Sequence, residues 1–133
     1  MVLCICLDNR NGISFNRRRQ SADRLIYERI LSLAEGRTVW IRPYSAQKFP
    51  SDRVNVTDDF SKITDSDAWC FAEDDSLIPL LERFNQLIVY RWNRDYPYDV
   101  VFPQACLDMY RLSKTTDFPG NSHDSITEEL YVK

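Results

Sequence analysis

The chemistry-bearing residues gather near the start of the chain. An apolar stretch, Val2 to Leu7, is followed by Asp8-Asn9-Arg10-Asn11-Gly12, then by Asn16-Arg17-Arg18-Arg19 and a segment carrying Asp23 and Arg24. Guanidinium groups grip phosphate or carboxylate through paired N–H donors, and a helix N-terminus adds favourable potential for an anion. Arg17, Arg18, Arg19 and Arg24 are therefore candidate anion ligands, set against the ordinary fate of a charge run as a solvated loop. Asp23 reads two ways. A buried carboxylate with a raised pKa works as an acid or base, whereas an acid in the first turn of a helix only complements its dipole. Glu73-Asp74-Asp75 could attract a hard cation, but their spacing matches no established loop, and helix capping is the preferred role. Trp92-Asn93-Arg94-Asp95-Tyr96-Pro97-Tyr98 could stack on bases or on a protein partner; a loop packed on its own rings is preferred. Ser122-His123-Asp124 spells a triad in letters only, and a hairpin turn is expected there.

Metal and disulfide chemistry are not expected. His123 is the single histidine among 133 residues, and the four cysteines (Cys4, Cys6, Cys70, Cys106) form no CxxC pair. A zinc site, or the histidine-rich two-metal centre of metallo-β-lactamase-like nucleases, cannot be assembled from these residues. The cysteines read as small buried hydrophobes. A net charge of −3 excludes general polyanion binding, so any nucleic-acid role must rest on a local patch. Val2 to Leu7 has no basic region before it, and no apolar run approaches a membrane span, so a cytosolic protein with no membrane partner is expected.

The elements that hold these residues follow from periodicity. Val2 to Leu7 and Ala68 to Ala72 are continuously apolar, as strands buried on both faces are. Ser21 is read as the N-cap of a helix over 22–34, with Ile26, Ile30 and Leu33 at helical spacing and Gly36 just beyond the end. Thr38 to Ile41, Val54 to Val56 and Leu87 to Tyr90 read as further strands, and Leu77 to Phe84 as a short helix. Tyr110 to Thr116 and Ile126 to Val132 alternate around Pro119-Gly120-Asn121, which predicts a C-terminal hairpin. Residues 1–133 are expected to form a single α/β domain: a three-layer mixed β-sheet flanked by helices. Its binding sites are expected beyond the carboxyl ends of the parallel strands, after Leu7 and after Ala72.

In order and in short motifs the chain resembles dihydrofolate reductase. The residues that carry the likeness are Ile5-Cys6-Leu7-Asp8, Asn11-Gly12-Ile13 and Asn16 at the start, Leu87 to Trp92, Val101-Phe102-Pro103, and the closing hairpin with Ser122-His123. The resemblance implies that fold. It implies that Asp23 holds a pteridine ring and that Tyr27 stands where the family keeps an aromatic over its substrate. It also locates the departures. Where active members have a Gly-Arg-x-Thr turn, this chain has Arg42-Pro43-Tyr44-Ser45, and proline removes a backbone donor. Where they have a Gly-Gly pair, it has Glu73-Asp74-Asp75, whose charges repel a pyrophosphate. NADPH and any other cofactor are therefore not expected. The reading is a small anionic or heterocyclic (pterin- or nucleotide-like) ligand held by Asn16, Arg17, Arg18, Arg19, Arg24, Tyr27 and Glu73, with Asp23 as the tentative catalytic group. The alternative is a non-enzymatic RNA- or protein-binding module that uses the arginine loop and Trp92 to Tyr98.

Overall fold

A computed structural model describes all of residues 1–133. Ten strands and two helices occur in chain order: β1 (Val2–Leu7), β2 (Gly12–Phe15), β3 (Arg18–Arg19), α1 (Arg24–Leu33), β4 (Val39–Ile41), β5 (Val54–Val56), β6 (Trp69–Ala72), β7 (Gln86–Arg91), β8 (Val100–Val101), α2 (Gln104–Leu107), β9 (Arg111–Phe118) and β10 (Ile126–Val132). Seven strands form a mixed sheet in the order β5-β4-β6-β1-β7-β10-β9. The five strands from β5 to β7 run parallel, and β10 and β9 add antiparallel at one side. The chain is thus α/β with a mixed sheet. No helix is long and apolar enough to cross a membrane.

β1 lies in the middle because its residues are apolar on both faces. Leu3, Ile5 and Leu7 join Leu87 and Val89 of β7 in one core, closed by Leu81 of the 3-10 segment Ile78–Arg83, by Phe84 just after it and by Leu107 of α2. Cys4 and the β7 residues Ile88 and Tyr90 face the other way, under Ile26, Tyr27 and Ile30 of α1. The period of two along β1 and β7 thus feeds two separate cores, one on each side of the sheet. Ion pairs tie the layers at their rim. Arg29 of α1 donates from Nε and Nη2 to both Glu128 oxygens on β10 at 2.8 and 3.0 Å, and the Tyr90 hydroxyl donates to the same carboxylate at 2.9 Å.

Two sequence expectations need correction. The segment read as a helix over Leu77 to Phe84 is a 3-10 turn, Ile78–Arg83; its first turn contains Pro79 and it has no side-chain cap. The arginine run is a hairpin rather than a loop: β2 pairs with β3 and with β8 in a separate three-stranded sheet. Gly12 does not supply a left-handed turn. Asn11 takes that conformation at φ 64°. A Cβ on Gly12 would fall 2.6 Å from Gln20 Nε2 and 2.9 Å from both Asp8 Oδ2 and Tyr98 Cβ, so glycine serves close packing there.

Candidate functional site

Asp8, directly after β1, organises the neighbourhood. It is fully buried and accepts from the backbone N–H of Gly12 (2.7 Å), Arg10 (2.8 Å) and Tyr96 (3.3 Å) and from Gln20 Nε2 (3.0 Å). Burial opposes its ionisation, but those donors outweigh it and hold the carboxyl below its ordinary range. One side chain thereby fixes the β1–β2 turn, the segment between β3 and α1 and the loop after β7.

The β2–β3 hairpin turns through Asn16 (φ 51°) and Arg17 (φ 61°), both left-handed, as a two-residue type I′ turn requires. Asparagine tolerates that conformation. Arginine in the position where glycine is preferred stores strain, and its side chain is thereby projected outward. Asn16 N–H donates to Asp99 Oδ2 at 3.1 Å, which holds the hairpin tip against the loop just before β8.

That tip overhangs a cleft of about 620 Å³ beyond the carboxyl ends of β4 and β6. Its walls include Arg17 from the hairpin, Arg42, Pro43 and Tyr44 after β4, Phe71 to Asp75 at the end of β6, and Asp99. Two ion pairs fix the floor. Arg19 donates from Nε and Nη2 to the two Glu73 oxygens at 2.8 and 2.9 Å, and its guanidinium lies 4.2 Å over the Tyr44 ring. Ser45 Oγ donates to Glu73 Oε2 at 2.8 Å, and Arg42 Nη1 reaches Asp74 Oδ2 at 3.3 Å. Glu73 is therefore saturated, while Arg17, Asp75 and Asp99 present their side chains to the cleft.

The site residues expected from the sequence do not converge on one pocket. Arg17 and Glu73 line the large cleft. Asn16, Arg18 and Arg19 line a neighbouring one of about 510 Å³ with Phe15, Gln20, Tyr96 and Pro97. Asp23, Arg24 and Tyr27 border a third of about 420 Å³ between α1 and the 3-10 segment Pro43–Lys48. Arg24 is exposed there, reaching Glu28 at 3.3 Å and Asn121 Oδ1 at 3.2 Å. Tyr27 is buried edge-on against Phe49 and Phe71, at centroid distances of 5.2 and 5.9 Å.

Asp23 differs most from expectation. It, rather than Ser21, is the N-cap of α1, with Oδ1 accepting from Leu25 N–H at 3.0 Å. The same carboxylate accepts from Asn121 N–H (3.0 Å), Ser122 N–H (2.9 Å), Ser122 Oγ (3.2 Å) and His123 Nδ1 (2.9 Å). Only 2% of its surface is exposed. Burial pushes its pKa up, yet the Asn121, His123, Ser122 and Leu25 donors together bring it well below the usual carboxylate range. The pKa therefore moves opposite to the raised value an acid-base role would need.

Trp92 is also withdrawn from the surface: it is 3% exposed and stacked on the His123 ring at 4.6 Å and 28°. His123 Nε2 meets Ser21 Oγ at 2.9 Å and the Tyr96 hydroxyl at 3.2 Å. Only a void of about 10 Å³ remains between Ser21, Trp92, Cys6 and Glu73. Ser21, Arg42, Tyr44 and Asp99 were not among the expected site residues. For Arg42 and Tyr44 the signal was present, since their turn replaces a phosphate-binding motif directly after a parallel strand. No protein-family model matches the chain, and no curated protein is significantly similar to it.

Proposed function

We propose that this protein binds a small heterocyclic ligand bearing one anionic group in the cleft at the ends of β4 and β6, within a dihydrofolate-reductase-like frame that no longer takes a dinucleotide. The observation that carries this reading is the cleft itself. Its volume of about 620 Å³ falls within the roughly 300–1,000 Å³ of small-molecule sites. It opens where open α/β sheets bind ligands, beyond the carboxyl ends of parallel strands. The strand-helix opening, the parallel centre and the closing β9–β10 hairpin support the likeness of frame.

The lining selects the chemistry. Pro43 and Tyr44 offer apolar surface to a flat ring. Asp75 and Asp99 accept from ring N–H or amino groups, and Arg17 takes a carboxylate or a single phosphate. A diphosphate meets Asp75 close to Glu73 and Asp74, whose charges Arg19 and Arg42 offset in part, and a close like-charge contact costs on the order of 1–4 kcal/mol. The ligand sits away from Asp23, whose acceptor capacity is already used, so binding rather than proton transfer is the activity proposed.

Calorimetric titration with pterin carboxylates, nucleoside monophosphates and NADPH tests this. The expected result is binding of at least one mono-anionic heterocycle, weakened by Arg17→Ala, with NADPH inert. A protein that ignores every compound, or binds them equally well without Arg17, refutes it. The RNA- or protein-binding alternative draws on Trp92, and that ring is committed to His123.

A further inference from the structure

Ser21, Asp23 and His123 are far apart in the chain and meet in the order that activates a hydroxyl. We propose that they form a second, chemically distinct site: a serine nucleophile that accepts short acyl groups from small activated esters. His123 Nδ1 donates to Asp23 Oδ2 at 2.9 Å, which fixes the tautomer and leaves the Nε2 lone pair facing Ser21 Oγ, also at 2.9 Å. Nucleophile, base and orienting carboxylate within hydrogen-bond reach are the signature of an activated serine, recognised by geometry rather than by position in the chain.

The surroundings hold this geometry rigidly. Asp23 is a positioning residue, locked by the backbone N–H groups of Leu25, Asn121 and Ser122. The Trp92 ring stacked on His123 sets the imidazole plane. Ser21 does not cap α1, since Asp23 does, so its hydroxyl is free to serve His123. Ser21 is half-buried and lines the void of about 10 Å³, which shares Arg19 and Gln20 with the neighbouring cleft of about 510 Å³ that Tyr96 also lines. The Tyr96 hydroxyl lies 3.2 Å from the same Nε2. The two hydroxyls share that one acceptor nitrogen. Arg18 in the same cleft favours an acyl group ending in a carboxylate.

The chemistry is redox-neutral. Ser21 Oγ adds to the ester carbonyl carbon while His123 Nε2 takes its proton. The bond to the leaving alcohol breaks, and His123 returns the proton to that oxygen. Water then adds to the acyl-serine, His123 takes a proton from it and passes it back to Oγ, and the free acid leaves.

The full chain is treated with a fluorophosphonate probe and, separately, with p-nitrophenyl acetate. Peptide mass mapping is expected to place the adduct on Ser21. Ser21→Ala is expected to fold normally by circular dichroism and to lose labelling by roughly a hundredfold or more. Ser21→Ala is also expected to bind the heterocycle like the parent, so failure here and failure of the heterocycle site are read separately. Folded protein without a Ser21 adduct, or labelling unchanged in Ser21→Ala, overturns the proposal.

Discussion

Replacing Asp23 by asparagine tests whether its carboxylate is a structural hub. In the parent, Oδ1 accepts from Leu25 and Asn121 N–H, and Oδ2 accepts from Ser122 N–H, Ser122 Oγ and His123 Nδ1. An amide keeps one oxygen and turns an NH2 towards the other donors. The Ser122 hydroxyl can rotate and His123 can change tautomer, but the Ser122 N–H cannot adapt. A stranded buried donor costs about 1–3 kcal/mol, and the bonds that remain lose their charge assistance. A loss of about 3 kcal/mol at neutral pH is expected, read by urea denaturation.

The pH dependence sharpens the test. The folded pKa of Asp23 is depressed, so its contribution is fully present above the unfolded value near 3.8 and is lost as pH falls towards the folded one. Between pH 6 and pH 3 the unfolded chain gains most of a proton at this residue while the folded chain does not. The linkage relation gives a loss of about 1.3 kcal/mol over that interval. Asp23→Asn has no such group, and the other carboxylates are common to both proteins. The stability gap between parent and variant is therefore expected to narrow by about 1.3 kcal/mol. A gap below 1 kcal/mol at neutral pH, or one that does not change with pH, refutes the reasoning.

Gly120→Ala places a Cβ 2.6 Å from Asp23 Oδ2 and 2.8 Å from the His123 carbonyl oxygen; overpacking here is expected to cost about 1–3 kcal/mol, seen as a lower urea midpoint with unchanged slope. Arg17→Gly removes the left-handed strain at φ 61° and is expected to raise stability by about 1 kcal/mol in urea denaturation, while the same protein binds the heterocycle more weakly in calorimetry. Tyr110→Phe strands the Leu81 and Phe84 carbonyls that its hydroxyl bonds at 3.0 and 2.8 Å; a loss of about 1–3 kcal/mol is expected from thermal unfolding, with no effect on either cleft.

The parallel centre of the fold was legible because burial on both faces leaves an uninterrupted apolar run, as in β1, β6 and β7. The β9–β10 hairpin was legible from alternation around Pro119-Gly120. The small sheet was not: β3 and β8 are two residues each, too short for any period, and β3 consists of Arg18 and Arg19. Two good capping residues, Ser21 and Asp23, competed for one helix start. What separates them is the 119–123 turn, about a hundred positions away, whose N–H groups select the carboxylate. No local pattern carries that information. The large cleft was anticipated on its β6 side, through Glu73 to Asp75. Its other wall, Arg42 to Ser45, had been read only as a lost phosphate motif.

The position of β1 bears on how the chain comes together during synthesis. Leu3 lies opposite Cys70 on one flank and Leu87 on the other, so both neighbours of the first strand are translated long after it. Until they leave the ribosome, Val2 to Leu7 is an uncovered hydrophobic segment with strand propensity, the kind of stretch on which nascent chains stick to one another. Slower elongation is therefore expected to lengthen its dependence on chaperones rather than to help it mature.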